Sequence, residues 1–380
     1  MGDKDVRAQT PAARGYRMPA EWEPHAATWI GWPHNTTDWP GKFAAIPWVY
    51  GEIVRKIAPG EIVRTLVESR ASEAQARRVL ERAGVDLRAV QFLRFATNRG
   101  WTRDSGPAFV TGNGSTAVVR FRFNGWARYP DYAKDDRLPD FAARRGKLCI
   151  FRARAGGRDV VLEGGAIDVN GRGTLITTEE CLLDPAVQVR NPGLDRTGYE
   201  NVFREFLGAE RVLWLGRGIA GDDTHGHVDD LCRFVSPSTV VLCRETNPKD
   251  VNYVALEENR ERLQGARLSD GSRIDVVALP MPSPLVFAGR RLPASYANFY
   301  AANAAVLVPT FNDPKDQEAL GILGELFRDR PVVGIHAVDL VWGLGTIHCL
   351  TRQEPAVTAG SQLGSESPAT SRAASSAKSG

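Results

Sequence analysis

A five-bladed α/β propeller is the fold this sequence predicts. Two observations carry it: a recurring order of hairpin, helix and closing strand, and a near-constant step between copies. The second hairpin strands start at Thr174, Val240 and Ala305, 66 and 65 residues apart. The closing strands start at Val212, Ile274 and Val332, 62 and 58 residues apart. A fixed period marks units that bury their faces only against neighbours, and about five units of ~65–70 residues fill the ordered length. Closing them into a ring removes the sheet edges between units. The main competitor, a doubly wound parallel sheet, calls for single strands alternating with helices, and the hairpins speak against it.

Taken in order, residues 1–16 are small and polar and are expected to be flexible. HAATWIGW, a helix over 72–83 and a strand over 88–95 supply one unit. The next is a hairpin around Asn113-Gly114, closed by KLCIF after a charged, proline-bearing stretch, 129–146, that reads as a surface excursion. VVLEGGAIDVNGRGTLITT then folds back at Asn170-Gly171, a strong hairpin signal. The helix TGYENVFREFLG follows, with Thr197 as its expected cap and Gly208 as its stop, and then the strand RVLWL. LCRFVSPSTVVLC, a helix over 250–264 and RIDVVAL repeat the order. SYANFYAANAAVLVP, DPKDQEALGILGELFRD and VVGIH repeat it again. From residue 356 the Ser/Ala/Gly tract has too little apolar content to order itself, so 356–380 is expected to be a disordered tail and 17–355 a single domain.

Composition narrows the function classes. Of 380 residues, 43% are hydrophobic and 24% charged, as in an ordinary globular chain. The formal charge of +3 is too small and too interspersed for a nucleic-acid or membrane surface. No apolar run approaches the roughly 20 residues of a membrane helix, and the N-terminus lacks the apolar core of a secretory signal. Five cysteines without C-x-x-C spacing suggest neither a disulfide framework nor a zinc knuckle, and point to a cytoplasmic, reduced protein.

One polar spot falls in each unit: Asp104 in WTRDSGP, Glu163 in LEGGAID, His227 in DDTHGHVDD, Asn298 in SYANFY and Cys349 in GTIHCL. Units arranged about an axis would bring these spots together. Taken singly, Arg103-Asp104 also reads as an ion pair or turn cap, and Glu163 as a strand end. His225, His227 and Asp229 share parity and would face one side of an extended strand. That set suits a histidine general acid/base beside a carboxylate, a metal site, or a hydrogen-bonded turn; the other four histidines form no second ligand cluster. Cys149 and Cys243 read as buried fillers, whereas Cys349 follows Gly343 and Gly345, which allow close approach of a ligand. Trp101 and the cluster Trp22, Trp29, Trp32, Trp39 and Trp48 supply core or aromatic walls facing a cation.

MPAEWEPHAATWIGWPHN, WTRDSGP, EGGAIDVNGRGTLITTEECLL, GHVDD, LPASYANFYAANAAVLVPTFNDPKDQEAL and GTIHCLTRQEP together resemble the agmatine deiminase family, over about residues 16–355. The resemblance implies a five-fold pseudosymmetric α/β propeller of the pentein type. It implies a hydrolase, free of cofactor and metal, that turns a guanidinium into a ureido group plus ammonia. Cys349 then matches the nucleophile, His227 the acid/base, Asp104 and Asp229 the guanidinium holders, and Glu163 an orienting carboxylate. Trp101, Asn298 and His225 join Asp104 and Asp229 as substrate-binding candidates, and the family suggests a homodimer. Thr224-His225-Gly226-His227 departs from the family's T-D-G-H, and Gly343-Leu344-Gly345-Thr346-Ile347-His348-Cys349 from its G-G-G-N-I-H-C. These departures bear on whether the substrate is agmatine or another guanidine: arginine, guanidinobutyrate or peptidyl-arginine. A Cys/His/Asn amide hydrolase and a non-catalytic cation-binding propeller are the readings from other classes.

The chemistry suits those residues. A guanidinium is planar, delocalised and permanently charged, so its carbon is a poor electrophile. Two carboxylates gripping its N–H forks hold that carbon for attack. A soft anionic attacker favours Cys349 over any serine, and a bound cation or protonated His227 favours its thiolate.

Overall fold

The computed structural model describes residues 10–357, and the tail expected over 356–380 lies outside the described residues save for Ala356 and Val357. The mixed α/β chain builds five sheets of one design, each an antiparallel pair extended by a parallel strand. Ala108–Gly112 and Ser115–Arg120 run antiparallel, and Cys149–Arg152 joins parallel. The same order holds for Asp168–Val169, Thr174–Thr178 and Arg211–Leu215. It holds for Cys232–Phe234, Thr239–Arg244 and Asp275–Pro280, and for Tyr300–Ala301, Val306–Thr310 and Val332–His336. Parallel neighbours need a crossover, and helices Leu138–Gly146, Arg196–Leu207, Asn252–Leu263 and Lys315–Leu326 supply one each.

The remaining sheet is assembled from both ends of the described chain. Its antiparallel pair is His25–Gly31 with Thr351–Pro355, in register from Ile30 opposite Thr351 to His25 opposite Pro355. Ile62–Val67 and Val90–Arg94 then add in parallel. Sequence reading therefore misplaced the closing strand of this unit: Val90–Arg94 is an extra outer strand. The equivalent of the other closing strands is Ile62–Val67, reached through helix Ile46–Ile57.

Local chemistry explains the elements. Thr174–Thr178 is rich in β-branched residues and buried on both faces. Its hairpin turn is fixed by the Asn170 side chain, whose Oδ1 accepts from the Arg172 and Thr174 amides, while Gly171 takes φ 67°. Helix Arg196–Leu207 stops at Gly208 (φ 70°) as expected, but its cap is Asp195, whose carboxylate accepts from Gly198 N at 2.8 Å; Thr197 lies inside the first turn. The stretch read as a surface excursion is structured. It contains the crossover helix Leu138–Gly146, and buried Asp136 receives Arg120, Arg122 and the Phe123 amide. Residues 12–14, in the segment expected to be flexible, form a helical turn, and the Tyr16 hydroxyl bonds to Ser115. Trp29, Trp32 and Trp39 are core, Trp48 is half exposed, and Cys149 is exposed rather than a filler. Among the described residues, no helix is long and apolar enough to cross a membrane.

Replacing Asp195 with Ala is expected to cost about 1 kcal/mol in chemical denaturation, the usual value of an N-cap, with Thr197→Ala costing less than half of that.

Candidate active site

Four of the five sheets receive a polar residue from a short helical turn just ahead of the first strand. Asp104 lies in the turn Thr102–Ser105 before Ala108–Gly112. Glu163 opens the turn Gly164–Ala166 before Asp168–Val169, and His227 opens Val228–Asp230 before Cys232–Phe234. Cys349 lies in Ile347–Leu350 before Thr351–Pro355. In the fifth sheet Asn298 stands just before Tyr300–Ala301. One position in a repeated unit thus delivers all five side chains.

They converge. The Cys349 Sγ lies 3.8 Å from Asp229 Oδ2. His227 Nδ1 is 4.0 Å from Asp229 Oδ1 and 3.8 Å from Asp104 Oδ1, and its Nε2 is 3.8 Å from Glu163 Oε2. Gly165 makes this crowding feasible: a Cβ there would lie 2.6 Å from His227 Nδ1, 2.9 Å from Asp104 Oδ1 and 3.0 Å from Asp229 Oδ2. Asp104 is held from two sides, by the Gly165 amide on Oδ1 and the Trp126 indole on Oδ2, both at 2.9 Å. Trp126 reaches it from a loop in which Gly125, Trp126 and Ala127 all have positive φ, a costly conformation for a bulky residue.

A cavity of about 380 Å³ opens onto this group, lined among others by Asp104, Cys349, Trp101, Trp126, Asp38 and Asp223. His227, Asp229 and Glu163 are buried and do not line it. Two expectations need correction. Asn298 lies beneath the nucleophile candidate instead of facing a ligand: its Nδ2 donates toward Cys349 Sγ (3.2 Å) and to Asp230 (2.9 Å), and its Oδ1 accepts from Thr346 and the His348 amide. His225 leaves the site altogether. Residues 225–229 are not an extended strand; His225 takes φ 66° and its Nε2 bonds to Asp184 at 2.9 Å, so the parity argument fails and His225 and His227 share no ligand set. Gly343 and Gly345 line the cavity as well as being tightly packed: a Cβ at Gly343 would meet Trp39, and one at Gly345 would meet Trp101 and Cys349 Cβ.

Residues 17–355 match the Porphyromonas-type peptidyl-arginine deiminase family. The chain belongs to that family. Its relatives include the agmatine deiminase of Pseudomonas aeruginosa (strain LESB58), 35% identical over 371 residues, covering 91% of this chain and 97% of that protein. An Enterococcus faecalis agmatine deiminase structure superposes with a TM-score of 0.84 at 29% identity, covering 92% of this chain and 98% of that one. A Campylobacter jejuni agmatine deiminase carrying a cysteine-to-serine substitution, with substrate bound, gives 0.79 at 26% identity, covering 90% and 97%.

Electrostatics in this deiminase-family site follow from buried charge. Burial pushes Glu163 and Asp229 up, but cations outweigh it: Arg190 and His227 hold Glu163 at about 2, and His348 holds Asp229 below the usual range. His227 is raised well above an ordinary imidazole, since Asp104, Cys181 and Glu163 overcome the cost of burying its charge. Cys349 goes the opposite way to the sequence expectation. Burial, then Asp229, Asp230 and Asp104, push the thiol well above its ordinary value, so the empty site holds it protonated. Asp104 is raised as well, by burial and by Asp229 and Glu163 against the pull of His227.

Among the described residues, two sets of donor atoms lie close enough to share an ion, Glu163–Cys181–His227 and Asp229–Asp230–Cys349. In each, a carboxylate is already engaged by a protein group, Glu163 by Arg190 (3.2 Å) and Asp229 by the His348 ring (2.6 Å). Residues missed by sequence reasoning are Trp126, Arg190, Asp230, Asp38 and Asp223. Only the Asp222-Asp223 and Asp229-Asp230 pairs flanking His227 gave a local signal.

Inactivation of the substrate-free protein by iodoacetamide is expected to accelerate about tenfold per pH unit through about pH 9, following thiolate fraction. A plateau below about pH 8 would show that Cys349 is already ionised.

Proposed function

We propose that the protein is an agmatine deiminase, hydrolysing agmatine to N-carbamoylputrescine and ammonia through a covalent amidino-cysteine, a step toward putrescine. The observation that carries the reading is a thiol 3.8 Å from a buried carboxylate, at the floor of an acid-lined cavity, with a histidine 4.0 Å from the same carboxylate. A planar cation suits that floor: Asp104 and Asp229 grip its N–H forks, and Trp101 and Trp126 wall it. The relatives named above support the substrate, and five sheets of one design, four of them preceded by a helical turn that delivers a polar side chain, support reading the fold as a five-bladed propeller.

The steps balance as follows. Binding of the guanidinium brings positive charge beside the thiol, which releases its proton to solvent and becomes a thiolate. The sulfur adds to the guanidinium carbon and gives a tetrahedral adduct. His227, protonated at rest, gives its proton to the departing nitrogen, and ammonia leaves with the C–N bond. The amidino-thioether remains. Neutral His227 then takes a proton from water as the water oxygen attacks that carbon; collapse breaks the C–S bond, the remaining hydroxyl proton passes to the departing sulfur, and the ureido product is freed with the thiol and protonated His227 restored. Glu163, fixed by Arg190, stands behind His227 Nε2 and orients the ring. No cofactor enters these steps.

At the rim, Asp38 is paired with Arg99, and Asp223 accepts from the Tyr129 hydroxyl. Arg290 lines the same cavity, exposed and with no hydrogen-bonded carboxylate, which favours a second reading: a guanidine whose far end is a carboxylate, such as arginine or guanidinobutyrate. Five unpaired cysteines, four of them buried, fit a reducing cytoplasm. A homodimer rests on the family resemblance.

Ammonia release over agmatine, arginine, guanidinobutyrate and an arginyl peptide tests the reading, with the highest kcat/KM expected for agmatine. His227→Ala is expected to lose about 10²–10⁴-fold and Cys349→Ala more. Near-normal turnover by Cys349→Ala would overturn the scheme.

A further inference from the structure

The nucleophile candidate has a histidine neighbour that the reaction steps leave unused. His348 is buried, and both ring nitrogens face carboxylates: Nδ1 lies 2.6 Å from Asp229 Oδ2 and Nε2 lies 2.8 Å from Glu21 Oε2. A neutral imidazole has one donor and would set a lone pair against one of these oxygens, whereas an imidazolium satisfies both. Glu21 is itself saturated. Arg103 reaches its Oε2, and Arg233 and the Ala301 amide reach its Oε1, each at 2.9 Å. The charges therefore alternate from the cavity floor into the protein: Asp229 negative, His348 positive, Glu21 negative, Arg103 and Arg233 positive.

We propose that His348, clamped by Glu21, is a positioning residue that fixes Asp229 through Oδ2 and leaves Oδ1 open for the guanidinium of the substrate. Asp229 Oδ1 is buried with no hydrogen-bond partner, a costly state for a charged oxygen and the one a cationic ligand relieves. The other groups facing Asp229 do not fix it: His227 is at 4.0 Å, Cys349 at 3.8 Å, and the Asn298 amide, at 3.4 Å, is committed to Asp230 at 2.9 Å. The backbone adds to the arrangement, since the His348 amide is tied to Asn298. Glu21, more than three hundred positions upstream of the thiol, is thus part of the guanidinium grip. The proposal rests on the deiminase reading and deepens it.

The test is a mutant cycle on agmatine affinity, measured by calorimetry in Cys349→Ala protein so that binding is read apart from turnover. His348→Gln is expected to weaken binding about 10–100-fold, the worth of a hydrogen bond to a charged group. In an Asp229→Asn background the same change is expected to cost less than about twofold, because the residue through which it acts has lost its charge. Glu21→Gln, at the far end of the clamp, is expected to weaken binding in the same way and keeps the question answerable should His348→Gln fail to fold. In the active protein, both variants are expected to raise KM more than they lower kcat. They should also move the acid limb of kcat/KM upward as Asp229 loses its cation. Unchanged affinity in either folded variant, or equal losses with and without the Asp229 carboxylate, would overturn the proposal. Wild-type protein that binds agmatine yet releases no ammonia would instead sink the deiminase reading and leave the clamp standing.

Discussion

The structure depends on matching buried negative charge with buried positive charge around one thiol. Glu21, Glu163 and Asp229 are all nearly or fully inaccessible to solvent, and in an apolar interior such a group would be prohibitive. Arg190, His227, His348, Arg233 and Arg103 offset them, yet the match is left incomplete just beneath the cavity, beside Cys349. There a carboxylate oxygen has no partner and the sulfur stays protonated. On the proposed reading, a flat cation entering the cavity completes the balance and creates the nucleophile in the same event, which makes selectivity for a cationic head group and activation of sulfur one property of the site.

That balance requires distant segments to meet with sub-ångström tolerance, and the repeated unit provides this. A helical turn before the first strand places a side chain at the end of a sheet, and repetition of the sheet places the side chains against one another. The glycines of the EGG motif matter for the same reason. Gly164 would drive a Cβ to 2.1 Å from the Arg103 carbonyl, so its bare backbone admits Arg103 and Arg352, whereas Gly165 leaves the space in which His227, Asp104 and Asp229 approach one another.

The period of hairpins, helices and closing strands was legible because each hairpin carries local turn chemistry and each strand a dense apolar run. The convergence of Asp104, Glu163, His227 and Cys349 was legible because one polar spot recurred per unit. What the sequence hid was long-range. Val90–Arg94 looks like any closing strand, and only pairing of His25–Gly31 with Thr351–Pro355 shows it to be an addition. Leu138–Gly146 lay within a charged segment whose buried aspartates are matched by arginines of a neighbouring strand, so composition suggested surface. His225 was placed on the wrong side because parity holds only for extended backbone, and this histidine turns left-handed. Glu21 and His348 lie within motifs that carry the resemblance, yet nothing linked them to each other, since a buried pair between remote positions leaves no spacing to read.

The closing strand begins two residues after Cys349 and zips onto the first strand of the fold. Ribosomal synthesis adds residues in order, at about 5–20 per second, so four sheets can form while the last one still lacks its partner. During that interval the cavity around Cys349 is incomplete, and burial and the carboxylates Asp229, Asp230 and Asp104 do not yet hold its thiol in the protonated form. Housing of Cys349 and pairing of Thr351–Pro355 with His25–Gly31 are a single late event in the life of each molecule.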